Sequence, residues 1–473
     1  MIPAVEKYLA RHAEPEIEIV RGLRRSFGHV IVIPAFDETD DLFKTLQSIP
    51  NGSIGEVLTV LVINAAVDAP PNVHVRSAQL IEELADRYGG ESSCDAQSGS
   101  RWLRHPRGAL LCVDRTGPRS LPERQGVGLA RKIGCDIALR LHIQGTIQSN
   151  WIHSTDADVE LPSDYFERSE SLSGDPSGAA CLYPFWHRCR PPPVLADAMH
   201  RYEIFLRYYL LGLADAGSPY AFHTLGSAIA VNPMAYAMVR GFPRRLAGED
   251  FHFLNKVAKI GSILRMGGAP IVIEGRRSHR APFGTGAALN QMMAADEGGE
   301  RYQTYAPKVF AYLKAWLTAV ELLSQEMAAS DAHAQLIAAA KLHHGVDPDL
   351  LHRELMLLGL RPALLHIRSI SRDAARMARH LHTWFDALRT LKLIHRLTLA
   401  FPKKALLEAV RTAPFVSDEA RRTDDLEALR CSLMRLENRL CRSGLQQPRT
   451  SFLAFSGPVR ESGGMGAGRW AAD

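Results

Sequence analysis

The sequence predicts an α/β fold: a doubly wound, mostly parallel sheet followed by a C-terminal all-helical appendage. Three observations carry this reading. Short apolar runs alternate with stretches of helical spacing through the first two thirds of the chain. Polar and charged clusters sit directly after several of those runs, where ligands of open α/β sheets bind. After about residue 300 the strand signal fades and helical spacing takes over.

The elements follow in order. Residues 29–35 (HVIVIPA) form an apolar run stopped by Pro34, and 38–49 has helical spacing. A second strand spans 57–63 (VLTVLVI), followed by Asn64, then a helix over 76–88 and a strand over 109–113. A long helix covers about 125–142, a strand 151–155, and a further strand 226–231 precedes a helix from 249 to about 259. Helical segments then cover 308–328, 332–344, 349–358, 371–400 and 403–411. The domain reading is an N-terminal extension at 1–27, an α/β unit at 28–300 and a helical appendage at 301–442. The tail at 443–473, rich in Gly, Ser and Pro, reads as disordered.

Composition excludes several classes. The 473 residues are 46% hydrophobic and 23% charged with a formal net charge of +5, an ordinary globular mixture too mildly basic to imply nucleic-acid binding. Seven cysteines without a CxxC pair argue against a disulfide framework, and no apolar run spans a bilayer. The N-terminus lacks the basic-then-apolar pattern of a signal peptide, so a cytoplasmic address is expected. No Gly-Lys dipeptide, GxSxG, HExxH or GxGxxG after the first strand occurs. P-loop NTPases, α/β-hydrolases, zincins and dinucleotide-binding dehydrogenases are therefore poor fits.

Five clusters could carry chemistry. Pro34-Ala35-Phe36-Asp37-Glu38 ends the first strand. Phe36 could stack on a base and Glu38 could accept hydrogen bonds from it, or Glu38 could simply favour a helix N-terminus. Asp156 and Asp158 follow a strand at i, i+2 spacing and could share one hard divalent cation, or could be solvated loop acids. The pair Asp347 and Asp349 has the same spacing but opens a helix, so it reads as a cap. Glu249 and Asp250 open a helix after Gly248, where the dipole favours acids; one of them could deprotonate an acceptor hydroxyl. Gly126-Val127-Gly128 opens a helix carrying Arg131 and Lys132, which suits an anion or could face solvent. Arg276, Arg277 and Arg280, with His279 among them, suit a diphosphate, and His279 could ligate metal; the alternative is an exposed basic loop.

Taken in order, these motifs resemble GT-A-fold glycosyltransferases, closest to family 2, over about residues 28–285. The resemblance rests on the P-A-x-N-E-like turn Pro34–Glu38, the pair Ala130-Arg131, the D-x-D motif Asp156-Ala157-Asp158, the glycine-containing strand at Gly226, and the E-D pair Glu249-Asp250. It implies a nucleoside pocket lined by Pro34, Ala35, Phe36 and Glu38, with Arg131 on the base or phosphates. It implies Asp156 on the ribose or metal, Asp158 as the main ligand of Mn²⁺ or Mg²⁺, Asp250 as base and Glu249 positioning the acceptor. Arg277 and Arg280 would meet the diphosphate, with His279 as a third metal ligand. Asn64 stands where many relatives carry an Asp that reads the base, which leaves the base preference open. The Q-x-x-R-W motif of processive synthases is absent.

The implied activity is a metal-dependent, hexosyltransferase-like glycosyltransferase, inverting and non-processive. Its partners would be a nucleotide-diphosphate sugar donor and a hydroxyl acceptor, with no nucleic acid. The alternative is a sugar-nucleotide-binding protein or nucleotidyltransferase-like enzyme whose helical region is a docking module. Residues 365–411 carry ten Lys or Arg against three acids, a surplus that suits peripheral contact with a membrane or partner.

Overall fold

Continuous apolar runs become central strands, because both faces of such a strand must be covered. The computed structural model describes residues 3–95, 99–189, 191–276, 284–297, 302–325 and 331–442. Among the described residues the α/β part has twelve strands, β1 (His29–Ala35), β2 (Val57–Asn64), β3 (Gly90–Asp95), β4 (Ser100–His105), β5 (Gly108–Arg115), β6 (Ile152–Ser154), β7 (Val159–Glu160), β8 (Gly178–Leu182), β9 (Phe185–Arg188), β10 (Ile229–Val231), β11 (Ser262–Arg265) and β12 (Ile271–Glu274). Nine of them form one sheet in the order β11-β8-β10-β6-β1-β2-β5-β4-β3, and β7-β12-β9 form a small second sheet. The centre, β6-β1-β2-β5, is parallel, while β10 runs antiparallel to both β6 and β8.

Helices cover both faces. They are α1 (Pro3–Arg11), α2 (Asp40–Ser48), α3 (Pro71–Tyr88), α4 (Gly126–Ile143), α5 (Tyr165–Glu170), α6 (Pro193–Asp215), α7 (Pro233–Met238), α8 (Glu249–Val257) and α9 (Thr285–Glu297). Side chains alternate along a strand, so Val30 and Val32 of β1 join one core layer with Ile133 and Ile137 of α4. Ile31 and Ile33 join the opposite layer with Leu42 and Leu46 of α2 and Leu80 and Leu84 of α3. Nine more helices lie between Lys308 and Arg442 among the described residues, with a core of their own that also takes Ile204, Tyr208 and Leu211 from α6.

Helix α4 explains the two basic residues that could have faced solvent. Arg131 and Lys132 are only 2% and 4% exposed, because α4 lies between the sheet and the N-terminal segment and is buried nearly all round. The Lys132 ammonium donates to the Asp136 carboxylate at 2.6 Å, to the Tyr8 hydroxyl at 2.6 Å and to the His12 carbonyl at 2.8 Å. Asp136 also accepts from the Tyr236 hydroxyl and the Glu14 backbone N–H. This buried knot fastens α1 and the following chain onto α4.

Three expected elements differ, each for a local reason. The strand expected at 226–231 is a 3₁₀ turn at Gly226–Ala228 followed by β10, because the backbone groups of Gly226 bond to side chains instead of a ladder. The helical stretch 371–400 is two helices, Ala374–Trp384 and Ala387–Leu397, each opened by an aspartate cap, Asp373 on the Arg376 N–H and Asp386 on the Arg389 N–H. Residues 403–411 begin with a short bridge, Lys404–Ala405 against Gln303–Thr304, before the helix Leu406–Thr412. The cap expected at Asp347 is present: its carboxylate accepts from the N–H groups of Asp349 and Leu350.

The knot yields a stability prediction. Asp136→Ala takes from the buried Lys132 ammonium its carboxylate at 2.6 Å and leaves only Glu14 at 3.6 Å, and breaking a buried pair in this way costs on the order of 3–5 kcal/mol. Urea unfolding should show that loss, and a change below about 1 kcal/mol would contradict it.

Candidate functional site

The carboxyl ends of β1, β2 and β6 open into a cleft of about 700 Å³. Its lining includes Pro34, Phe36, Glu38, Asn64, Arg131, Asp156, Asp158, Glu249 and Asp250. One cavity therefore gathers nine of the residues singled out in the sequence. Ala35 is not among the lining residues: its side chain is buried and its carbonyl accepts from the Asn64 amide at 2.9 Å. Arg277, His279 and Arg280 lie outside the described residues.

The turn after β1 is shaped by Asp37, whose φ of 53° lies in the left-handed region that Asp and Asn tolerate best. Arg76 of α3 grips its carboxylate with two bonds of 2.6 and 2.8 Å. Helix α2 starts only at Asp40, so Glu38 stands before the helix and points into the cleft.

Strand β6 ends at Ser154, and Asp156 and Asp158 lie in the turn before β7, not in a strand. They still face one cleft, because Ala157 between them is buried. Their partners differ. Asp156 accepts from Arg131 Nη2 at 2.6 Å, and Asp158 accepts from Arg276 Nη2 at 3.0 Å.

Arg131 is the hub. Nη1 donates to Ser154 Oγ at 2.7 Å and to the Gly226 carbonyl at 3.0 Å, Nη2 to Asp156, and Nε to Glu249 at 3.2 Å. Burial opposes its charge, but Asp156 and Glu249 outweigh that and raise its pKa further. A Cβ on residue 226 would stand 2.4 Å from Arg131 Nη2, so this close approach requires glycine. Gly128 is held in the same way, with its N–H donating to the Arg245 carbonyl at 3.0 Å and space for no side chain. That N–H of the α4 terminus is therefore committed within the protein.

Glu249 and Asp250 open α8 after Gly248, as expected. Burial raises the Glu249 pKa, with Arg131 opposing it. The Asp250 carboxylate accepts from the Gly226 N–H at 3.0 Å and from the Phe251 N–H at 2.6 Å. Burial first, and the neighbouring Glu249 second, push Asp250 up to about 7. Burial likewise pushes Asp158 up to about 7, against the pull of Arg276.

Sequence reasoning did not assign Asp68, Tyr202, Leu206, His223 or Thr285, all of which line the cleft. Of the basic run expected to meet a diphosphate, Arg276 is the described arginine, and it lines the cleft. His223 is braced from outside the α/β unit: Glu437 of the helix Leu426–Arg442 lies 3.0 Å from its Nε2. Burial would raise the Glu437 pKa, but His223 and Arg207 hold it down to about 2.

The donor set suits a small hard cation. Asp156 and Asp158 offer two carboxylates to one cleft, and Mg²⁺-like ions take one or two carboxylates, completing their shell with water and phosphate oxygens. Among the described residues no group of three or more His, Cys, Asp or Glu gathers as a self-sufficient metal cage. Also among the described residues, no helix is long and apolar enough to cross a membrane.

No protein-family model matches the chain, and no curated protein matches it. Solved structures align with it at low similarity. Residues 1–349 of S. aureus TarS align at 11% identity and a TM-score of 0.34, covering 76% of this chain and 90% of that one. The same fragment in complex with UDP-GlcNAc aligns at 12% and 0.34, covering 88% and 92%. The mannosyltransferase PcManGT from Pyrobaculum calidifontis, in complex with GDP-Man and Mn²⁺, aligns at 15% and 0.31, covering 82% and 92%. Scores this low carry no weight, so the functional reading rests on the chain's own topology and cleft.

The raised Asp158 pKa has a thermodynamic consequence. An unfolded Asp titrates near 4, so the folded state binds this proton more tightly. The resulting stabilisation is full below pH ~4 and is lost as pH rises through about 7. Asp158→Asn should therefore lose less Tm than wild type between pH 5 and pH 8 in calorimetry without added metal. Parallel slopes for the two proteins would contradict this.

Proposed function

We propose that this chain is a metal-dependent glycosyltransferase that moves a sugar from a nucleoside-diphosphate donor to an acceptor hydroxyl with inversion, adding one sugar or a few. One observation carries the reading: a single cleft at the carboxyl edge of the sheet joins a base-sized aromatic, a carboxylate pair and a half-buried acid beside Glu249. Phe36 supplies a ring face for a nucleobase. The Asn64 amide nitrogen donates to the carbonyls of Ala35 and Val62, so this side chain meets a base through Oδ1, which accepts from a ring N–H.

Asp158 and Asp156 would hold Mn²⁺ or Mg²⁺, which when bound supplies Lewis-acid neutralisation of the leaving diphosphate. The remaining chemistry falls to side chains. As the acceptor oxygen forms its bond to the anomeric carbon, the bond from that carbon to the diphosphate oxygen breaks. The acceptor's proton passes to Asp250. A carboxyl near pKa 7 suits this task, since it is basic yet still ionised in a useful fraction at neutral pH. Glu249 is tied to Arg131 at 3.2 Å and raises the proton affinity of Asp250, which makes it the weaker candidate for base.

Incubation with UDP-, GDP- and dTDP-sugars, with and without Mn²⁺, tests the class directly. Release of free nucleoside diphosphate from at least one donor, dependent on Mn²⁺, is the expected result; no turnover of any donor would sink the reading.

The base assignment has its own test. Because Asp250 must be deprotonated to act, kcat should rise with pH through about 7 and level off above it. Asp250→Asn should remove that limb and lower kcat by about 10²–10⁴-fold while leaving the donor KM nearly unchanged. Activity within a few-fold of wild type would exclude Asp250 as the base.

A further inference from the structure

Arg276 occupies an unusual place for a residue at the start of a basic loop. Its Nη2 lies 2.7 and 2.8 Å from the two Glu38 oxygens and 3.0 Å from Asp158 Oδ2, so one nitrogen bridges two carboxylates of the cleft. Nη1 adds a longer contact to Asp41 at 3.9 Å. Sheet register enforces the position. β12 pairs antiparallel with β7, with Val272 opposite Glu160 and Ile273 opposite Val159, and the Glu274 N–H donates to the Asp158 carbonyl at 3.0 Å. Arg276, two residues further on, is thereby delivered beside Asp158. Glu274 itself is engaged at 2.7 Å by Arg188, its register partner on β9.

Two carboxylates converging on one nitrogen are a site for a single positive charge. A divalent cation binding Asp158 would need an oxygen from the carboxylate that Arg276 already engages. We propose that Arg276 is a resident counter-cation of the cleft: it competes with the divalent cation for Asp158 and, once displaced, stays on Glu38 and meets the donor diphosphate. This rests on the reading of the cleft as a metal–diphosphate site. The exchange keeps a positive charge against Asp158 throughout, so the carboxylates are never left uncompensated as the cation arrives. It also makes metal and donor binding interdependent, because the diphosphate supplies a new partner for the guanidinium that the metal releases.

The two halves of this role have opposite signs, which separates them from simple packing. Removing the charge should tighten binding of the metal alone and weaken binding of the nucleotide with metal. Mn²⁺ binding without nucleotide can be followed by loss of the free-ion electron paramagnetic resonance signal, and UDP and GDP binding at saturating Mn²⁺ by calorimetry. Arg276→Met should bind Mn²⁺ alone about tenfold more tightly and the better of the two nucleotides about tenfold more weakly. Arg276→Lys keeps the charge and should hold Mn²⁺ affinity close to wild type. Unchanged or weaker Mn²⁺ binding by the Met variant, or equal tightening by the Lys variant, overturns the inference. Asp158→Ala separates the levels: if it abolishes Mn²⁺ binding while Arg276→Met changes nothing, only the role of Arg276 fails. If Asp158→Ala binds Mn²⁺ like wild type, or no protein binds it at all, the metal–diphosphate reading fails too.

Discussion

A guanidinium buried to 2% exposure must find a partner for its charge and its hydrogens, and Arg131 finds them on four separate segments. It starts on α4, touches the end of β6 at Ser154, the turn into β7 at Asp156, the turn before β10 at Gly226, and the start of α8 at Glu249. Moving any one of these segments would leave a buried donor or acid unmatched. The cleft's floor is therefore fixed by one side chain, and α4 is in turn fixed from behind by the Lys132–Asp136 knot with Tyr8 and Tyr236. Adjacent residues on one helix thus serve opposite faces: Arg131 organises the cleft, and Lys132 anchors the helix that carries it.

This arrangement distributes charge in a way that matters for chemistry. Arg131 answers Asp156 and Glu249, while Arg276 answers Asp158 and Glu38. Asp250 is met instead by two backbone N–H groups, from Gly226 and Phe251. Burial and the neighbouring Glu249 then set its proton affinity near neutrality. Two acids adjacent in sequence acquire different characters because only one of them reaches the guanidinium. The helical region enters at the cleft's far wall, where Glu437 braces His223 and Arg207 of α6.

Local signals made the centre of the fold legible. Apolar runs at 29–35 and 57–63 became β1 and β2, and the motifs following the strands converge on one cavity because α/β sheets present such residues along one edge. What stayed hidden depends on long-range partners. The pair Arg131-Lys132 looks like a solvated pair until α4 is seen to be enclosed, and the low helical periodicity of α4 was the available clue. Gly226–Ala228 looks like strand, but its backbone bonds to Arg131 and Asp250, partners 95 and 24 residues distant. Tyr202 and His223 gave no motif at all, since only the packing of α6 and the helix Leu426–Arg442 brings them to the cleft.

The central claim is that this one cleft holds a divalent cation and a nucleoside diphosphate together, against the carboxylates that Arg131 and Arg276 organise. Anomalous diffraction from crystals grown with Mn²⁺ and a nucleoside diphosphate tests it most directly. The account predicts a manganese peak within coordination distance of Asp158, about 2.0–2.2 Å for a small hard cation, with the diphosphate on its far side and the base against Phe36. A manganese peak or nucleotide density away from the carboxyl edge of β1, β2 and β6 would contradict it.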